Sequence, residues 1–202
     1  MTSKKKLTNV LKIITDSLMQ EQIPYSLIGA LALSLYGLPR FTADIDLLTE
    51  ARFWSRISLI MEKLGYTCYQ KTESFVQFDS EMGVLGKIDF MFVDTPEGKD
   101  ILKRSILAGD ELIGTYHVIQ PTDYIVLKLM AIANNPDRSQ KDEGDILAVM
   151  NLYKNRLIPE NFEPLDMDRV YLFAEKFGQK KNVRRYFDEI FGVSDKPGDF
   201  GL

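Results

Sequence analysis

Two aspartates one residue apart inside an apolar run constrain this chain more than any other feature. In ADIDLLT, residues 43–49, alternation with period two puts Ala43, Ile45 and Leu47 on one face of a strand and Asp44 and Asp46 together on the other. Like charges held that close repel unless a cation sits between them, and hard oxygen ligands of this kind suit Mg²⁺. The alternative is a solvated edge strand whose carboxylates guard against aggregation. Ala43, Ile45, Leu47 and Leu48 make the strand apolar enough to be central, which favours metal binding.

Upstream, Leu7, Val10, Leu11, Ile14 and Leu18 recur at helical spacing and predict a surface helix over Leu7–Met19, stopped by Pro24. Tyr25 to Ile28 reads as a short buried strand. Gly29 lets the backbone turn into a helix over Ala30–Tyr36, and Gly37 and Pro39 close that helix. Backbone N–H groups at such a turn favour phosphate, although glycines begin many helices that bind nothing.

Downstream, an amphipathic helix over Phe53–Leu64 leads to a hairpin of strands, Tyr66–Gln70 and Phe75–Phe78. In GKIDFMFV, Gly86 to Val93, Ile88, Phe90 and Phe92 share one face, leaving Asp89 on the other with Lys87 and Met91. A surface ion pair with Lys87 would account for Asp89, but its flanks are too apolar for an exposed strand. A helix from Pro96 to about Leu107 and a strand over Tyr116–Ile119 precede a wholly helical last third. The expected fold is α/β (α+β): a mixed β-sheet core flanked by helices over residues 1–120, a C-terminal helical subdomain over 121–192, and a loose tail over 193–202.

Composition serves mainly to exclude. With 202 residues, 45% hydrophobic and 27% charged, the chain is an ordinary globular protein. A net charge of −4 argues against a surface devoted to nucleic acid. One cysteine, Cys68, and one histidine, His117, rule out an intramolecular disulfide and a Cys/His zinc cluster. No apolar run approaches the length of a membrane span, and Lys4, Lys5 and Lys6, read as a solvated end, precede an amphipathic pattern rather than a signal-peptide core. No membrane contact and a cytoplasmic location are the expectation.

In the helical third, YIVLKLMAIA, Tyr124–Ala133, is apolar on every side and carries one charge, Lys128. A lysine there snorkels to the surface or reaches a fixed partner, such as a triphosphate. Asp142 and Asp145 fall on the inward stripe of a helix marked by Ile146, Val149, Met150 and Tyr153; helix capping and pairing with Lys141 explain them equally well. Lys180, Lys181, Arg184 and Arg185 form a basic cluster best read as a solvated helix face.

Gly29, the helix after it, Arg40, Thr42, Asp44, Asp46 and a later Asp89 resemble the signature of the nucleotidyltransferase superfamily with the DNA polymerase β-type catalytic core. The phrase GLPRFTADIDLL, with the surroundings of Lys128 and the run Lys141–Ile146, is similar to the bacterial AbiEii-type toxin branch. The resemblance implies transfer of a nucleoside monophosphate from an NTP to an acceptor hydroxyl with release of pyrophosphate. It also implies a two-metal Mg²⁺ site on Asp44, Asp46 and Asp89, with Asp89 orienting or deprotonating the hydroxyl. Gly29, Ala30, Arg40, Lys128, Asp142 and Asp145 become the nucleotide-binding set. Ala30 stands where the family often has Gly or Ser, so no hydroxyl can help hold phosphate at that position. The acceptor is either the 3′ end of a tRNA, as for a toxin with an antitoxin partner, or a small hydroxylated molecule, as for antibiotic-resistance enzymes. A non-catalytic nucleotide- or partner-binding member and a Mg²⁺-dependent phosphodiesterase are the rival readings.

Overall fold

A computed structural model describes residues 3–80, 86–110 and 114–192. The tail 193–202 and the side chains of Lys4, Lys5 and Lys6 lie outside the described residues. The chain divides into two units, Met1–Leu35 with Pro39–Ile119, and Tyr36–Leu38 with Gln120–Leu202.

The first unit is built on the strand that carries the paired aspartates. This strand, β2 (Asp44–Glu50), follows β1 (Ser26–Leu27) and precedes β3 (Tyr66–Lys71), β4 (Phe75–Ser80), β5 (Lys87–Val93), β6 (Ile106–Asp110) and β7 (Gly114–Val118). They form one mixed sheet in the order β3-β4-β5-β2-β1-β7-β6, so β2 sits in its middle. Ile45 and Leu47 on β2, Ile88 and Phe90 on β5, and Val76 on β4 are fully buried. On that face Trp54 stacks on Phe78 with ring centroids 6.1 Å apart and meets Phe92 edge-on. Trp54 opens helix α3 (Trp54–Lys63), whose Ile57, Ile60 and Met61 supply the covering apolar stripe. The other helices of this unit are α1 (Ser3–Gln20), α2 (Gly29–Leu35) and α4 (Pro96–Lys103).

β2 and β5 run parallel, and the connection between them contains α3 and the β3–β4 hairpin. β4 then pairs antiparallel with β5. The expected helix from Pro96 to about Leu107 is shorter than its apolar spacing predicts. It ends at Lys103, where Arg104 N donates to Asp100 O and Ser105 Oγ donates to Leu102 O. Ile106 and Leu107 belong instead to β6, opposite Val118 and His117 on β7. The β6–β7 hairpin joins the sheet because β7 pairs parallel with β1.

In the second unit α5 (Pro121–Asn134) is buried on nearly every side and packs on α6 (Ser139–Lys154) and α7 (Met167–Lys176); α8 (Lys180–Phe191) completes it. Tyr36 meets the rings of Tyr124 and Phe162 edge-on at 5.8 and 5.0 Å. Arg169 Nε donates to the buried Asp123 Oδ1 at 2.8 Å. No helix among the described residues is long and apolar enough to cross a membrane.

Candidate active site

Register brings the sequence-predicted carboxylates together. In the parallel pair Asp46 lies opposite Asp89, and Asp44 opposite Lys87. Residues opposite one another in a parallel ladder point to the same face, on strands about 4.8 Å apart. Asp44, Asp46 and Asp89 therefore share one face, each half-buried, while Ile45, Leu47, Ile88 and Phe90 fill the other.

Each aspartate has its own support. Thr42 Oγ1 accepts from Asp44 N at 3.1 Å and donates to Asp44 O at 3.0 Å, which fixes the chain where it enters β2. Ile28 N donates to Asp46 O at 3.0 Å, joining the turn after β1 to the middle of the acidic strand. Gln77 on β4, opposite Asp89, donates from Nε2 to Asp89 Oδ2 at 2.8 Å. Asp89 Oδ1 is buried and has no hydrogen-bond partner. Burial raises the Asp89 pKa above the ordinary carboxylate value, and the negative charge of Asp44 adds to the rise; the Gln77 hydrogen bond and Lys87 pull the other way. Lys87 turns its ammonium over the Tyr69 ring, 5.2 Å from the centroid, rather than into the carboxylates.

Gly29 touches this cluster directly. Its φ is +62°, and a Cβ built on it would lie 2.1 Å from Asp46 Oδ2 and 2.7 Å from Asp46 Cγ. Only glycine leaves room there for the carboxylate. Ala30, next on α2, is half-buried, and its carbonyl accepts from Ser34 Oγ at 3.0 Å. Arg40 is exposed in the loop before β2, with its N–H 3.4 Å from Ser34 Oγ.

Among the described residues no group of three or more His, Cys, Asp or Glu side chains makes a ready metal site by itself. The donors nevertheless suit Mg²⁺, an ion usually bound through one or two carboxylates with substrate phosphates and water completing its shell. The unpartnered, buried Asp89 Oδ1 is an oxygen of the required kind.

No protein-family model matches the chain, and no curated protein matches its sequence. Solved structures do. The antibiotic-resistance factor ANT(2'')-Ia superposes in its solution structure with a TM-score of 0.61 at 10% identity, over 90% of this chain and 96% of that one. Its crystal structure in complex with adenylyl-2''-tobramycin gives a TM-score of 0.61 at 11% identity, over 86% and 98%. An antigenic nucleotidyltransferase-like protein from Paracoccidioides brasiliensis gives 0.54 at 13% identity, over 93% and 97%. This chain has the nucleotidyltransferase fold.

Within this nucleotidyltransferase fold, Lys128, Asp142 and Asp145 of the second unit come together with one another. Lys128 Nζ lies 2.7 Å from Asp142 Oδ1 and 2.7 Å from Asp145 Oδ2, and Tyr124 OH donates to Asp145 Oδ2 at 3.3 Å. Both carboxylates are buried, and the Lys128 side chain is only 15% exposed. The lysine of the apolar helix thus has fixed carboxylate partners instead of snorkelling. In the basic cluster, Arg185 pairs with Glu143 at 2.6 Å and Lys180 with Glu175 at 3.0 Å.

Gln77 is the site residue that sequence reasoning missed. The alternation in FVQF places it on the same side of β4 as Phe75, but only the β4–β5 pairing sets it against Asp89. His117 packs edge-on against Tyr25, with ring centroids 5.7 Å apart.

Proposed function

We propose that this protein is a Mg²⁺-dependent nucleotidyltransferase that moves a nucleoside monophosphate from an NTP to a hydroxyl of a small acceptor. The observation that carries the reading is the shared face of Asp44, Asp46 and Asp89, with Asp89 Oδ1 buried and unpartnered beside it. Asp44 and Asp46 would hold Mg²⁺, with Asp89 completing a second position. The ion would neutralise the triphosphate and the charge that develops on transfer.

The chain's own residues account for the rest. Gln77 ties down Oδ2 of Asp89 and leaves Oδ1 for the ion and the acceptor hydroxyl. The burial that raises the proton affinity of Asp89 acts in the direction that suits a group orienting or deprotonating a hydroxyl. As the hydroxyl oxygen bonds to the α-phosphorus, the bond from that phosphorus to the bridging oxygen breaks. Pyrophosphate leaves with the electron pair, and the hydroxyl proton passes to Asp89. Arg40 would fork a phosphate group.

Charge supports a small acceptor over RNA. The register puts Asp79 on the same face as Asp44, Asp46 and Asp89, next to the exposed Thr67 of β3. A polyanion would meet those carboxylates, and two cations of the α8 cluster are already neutralised by Glu143 and Glu175. The AbiEii resemblance makes the 3′ end of tRNA, with an antitoxin partner, the competing acceptor. Ala30 supports the other rival, nucleotide binding without turnover.

The test incubates each labelled NTP and Mg²⁺ with total tRNA or with a panel of hydroxylated small molecules, aminoglycosides included. Pyrophosphate released with a small acceptor, and lost in both Asp44→Asn and Asp46→Asn, is the expected result. Release with tRNA alone would replace the acceptor. Binding without release in any pairing would replace the activity.

A further inference from the structure

The loop that delivers the chain to β2 carries an aromatic ring that the proposed chemistry leaves unused. Phe41 has 83% of its surface in water, the highest among the exposed large apolar side chains of the described residues. A single apolar side chain on a surface needs no special reason. Phe41 differs in where it is held. Thr42, its neighbour, is bonded through Oγ1 to both the N–H and the carbonyl of Asp44. On its other side Arg40 N approaches Ser34 Oγ at 3.4 Å. The backbone is thus tied on both flanks, and the ring stands in solvent three residues before the first carboxylate.

We propose that Phe41 is the stacking platform for the nucleobase of the incoming NTP. The inference rests on the nucleotidyl-transfer reading and adds to it the group that recognises the base. Consecutive Cα atoms are about 3.8 Å apart, and a phenyl ring extends the reach further. A ring one position along from Arg40, which would fork a phosphate in the proposed reaction, can therefore cover the ribose length between phosphates and base. Every base has a π-face, so such a platform secures the nucleotide with little regard to base identity. An aromatic ring already in water has only its hydration to lose when a base covers it. Truncating a side chain this exposed leaves the fold intact.

Calorimetric titration with each of the four NTPs and with inorganic tripolyphosphate, all with Mg²⁺, tests the assignment on wild type, Phe41→Ala, Phe41→Leu and Phe41→Trp. Phe41→Ala should bind every NTP about 5- to 150-fold more weakly, the range of base–aromatic stacking. Phe41→Leu should fall with it, because it keeps apolar bulk and lacks the ring, while Phe41→Trp stays near wild type. Tripolyphosphate should bind all four proteins alike, and their thermal unfolding should coincide. NTP affinity unchanged in Phe41→Ala and Phe41→Leu overturns the inference alone, as does an equal loss of tripolyphosphate binding. A wild type that binds neither NTP nor tripolyphosphate overturns the proposed function, and the inference falls with it.

Discussion

Replacing Gly29 with alanine tests the contact between the turn and the acidic strand most directly. The backbone at Gly29 has φ +62°, where an L-residue costs about 1–2 kcal/mol. The new Cβ would also meet Asp46 Oδ2 at 2.1 Å, so the carboxylate must retreat by more than about 1 Å to reach ordinary contact. Turning Asp46 off its rotamer adds about 0.5–1.5 kcal/mol. The obstruction is a side chain, so the sheet survives and the carboxylate moves. Gly65→Ala is the matched control, because Gly65 has φ +78° and nothing within 4 Å of its Cβ. Gly29→Ala should thus lose about 1 kcal/mol more than Gly65→Ala, a further fall in Tm of about 2–4 °C for a chain of this size. In a double-mutant cycle with Asp46→Ala most of that excess should disappear, the Asp46 Cβ at 3.0 Å accounting for the remainder. Under the proposed activity, displacing this metal-holding carboxylate by about 1 Å should lower pyrophosphate release about 10²-fold in Gly29→Ala and leave Gly65→Ala unaffected. Equal Tm losses in the two variants, or full turnover in Gly29→Ala, would refute the contact.

Three further outcomes follow from charges in fixed surroundings. Asp89→Asn should abolish transfer yet raise Tm at neutral pH in chelator, since it removes a charge that burial and Asp44 disfavour. That gain should shrink as pH falls through the raised Asp89 pKa and vanish below the ordinary carboxylate range, where the unfolded chain is protonated too; a Tm below wild type at pH 7 would contradict it. Lys128→Met should destabilise the protein by about 3–5 kcal/mol, because Asp142 and Asp145 lose a shared counter-charge, and adding Asp142→Asn with Asp145→Asn should restore most of the loss in denaturant titrations. Tyr66 and Tyr186 are each pushed up to about 12, chiefly by burial, so their protons stay bound in the folded state after the unfolded chain releases its own near 10. Stability should therefore decline as pH rises from about 10 to 12, with tyrosinate absorbance of these two appearing only on unfolding; early ionisation in the native protein would count against their burial.

What the sequence disclosed depended on whether the information was local. Alternation along residues 43–49 and 87–93 sufficed to place each aspartate on a face, since side-chain direction in a strand repeats every second residue. Which strands pair is not written in that pattern. Gln77 therefore stayed hidden as the partner of Asp89, and so did Arg169 as the partner of Asp123, 46 residues away in the chain. Lys128, Asp142 and Asp145 could each be singled out, yet only the packing of α5 on α6 makes them one cluster. Ile106 and Leu107 fit a helix in the sequence because Ile101 and Leu102 precede them at helical spacing, and a short apolar run suits a strand as readily as a helix end. The exposure of Phe41 is likewise absent from the pattern, since solvent exposure cannot be read from residue type.

The parallel ladder between β2 and β5 sets the distance from Asp46 to Asp89 by backbone hydrogen bonds alone, while the residues joining the two strands leave the middle of the sheet and return. That excursion ends in a hairpin at the sheet's border, where β3 presents an exposed row of side chains. Insertions, deletions or recoded residues there would remodel what the border offers to a passing molecule without disturbing the spacing of the acids. Under the proposed activity, recoding only the exposed side chains of β3, with Gln77 of β4 kept against Asp89, is a route to new acceptors that leaves the acids as they are.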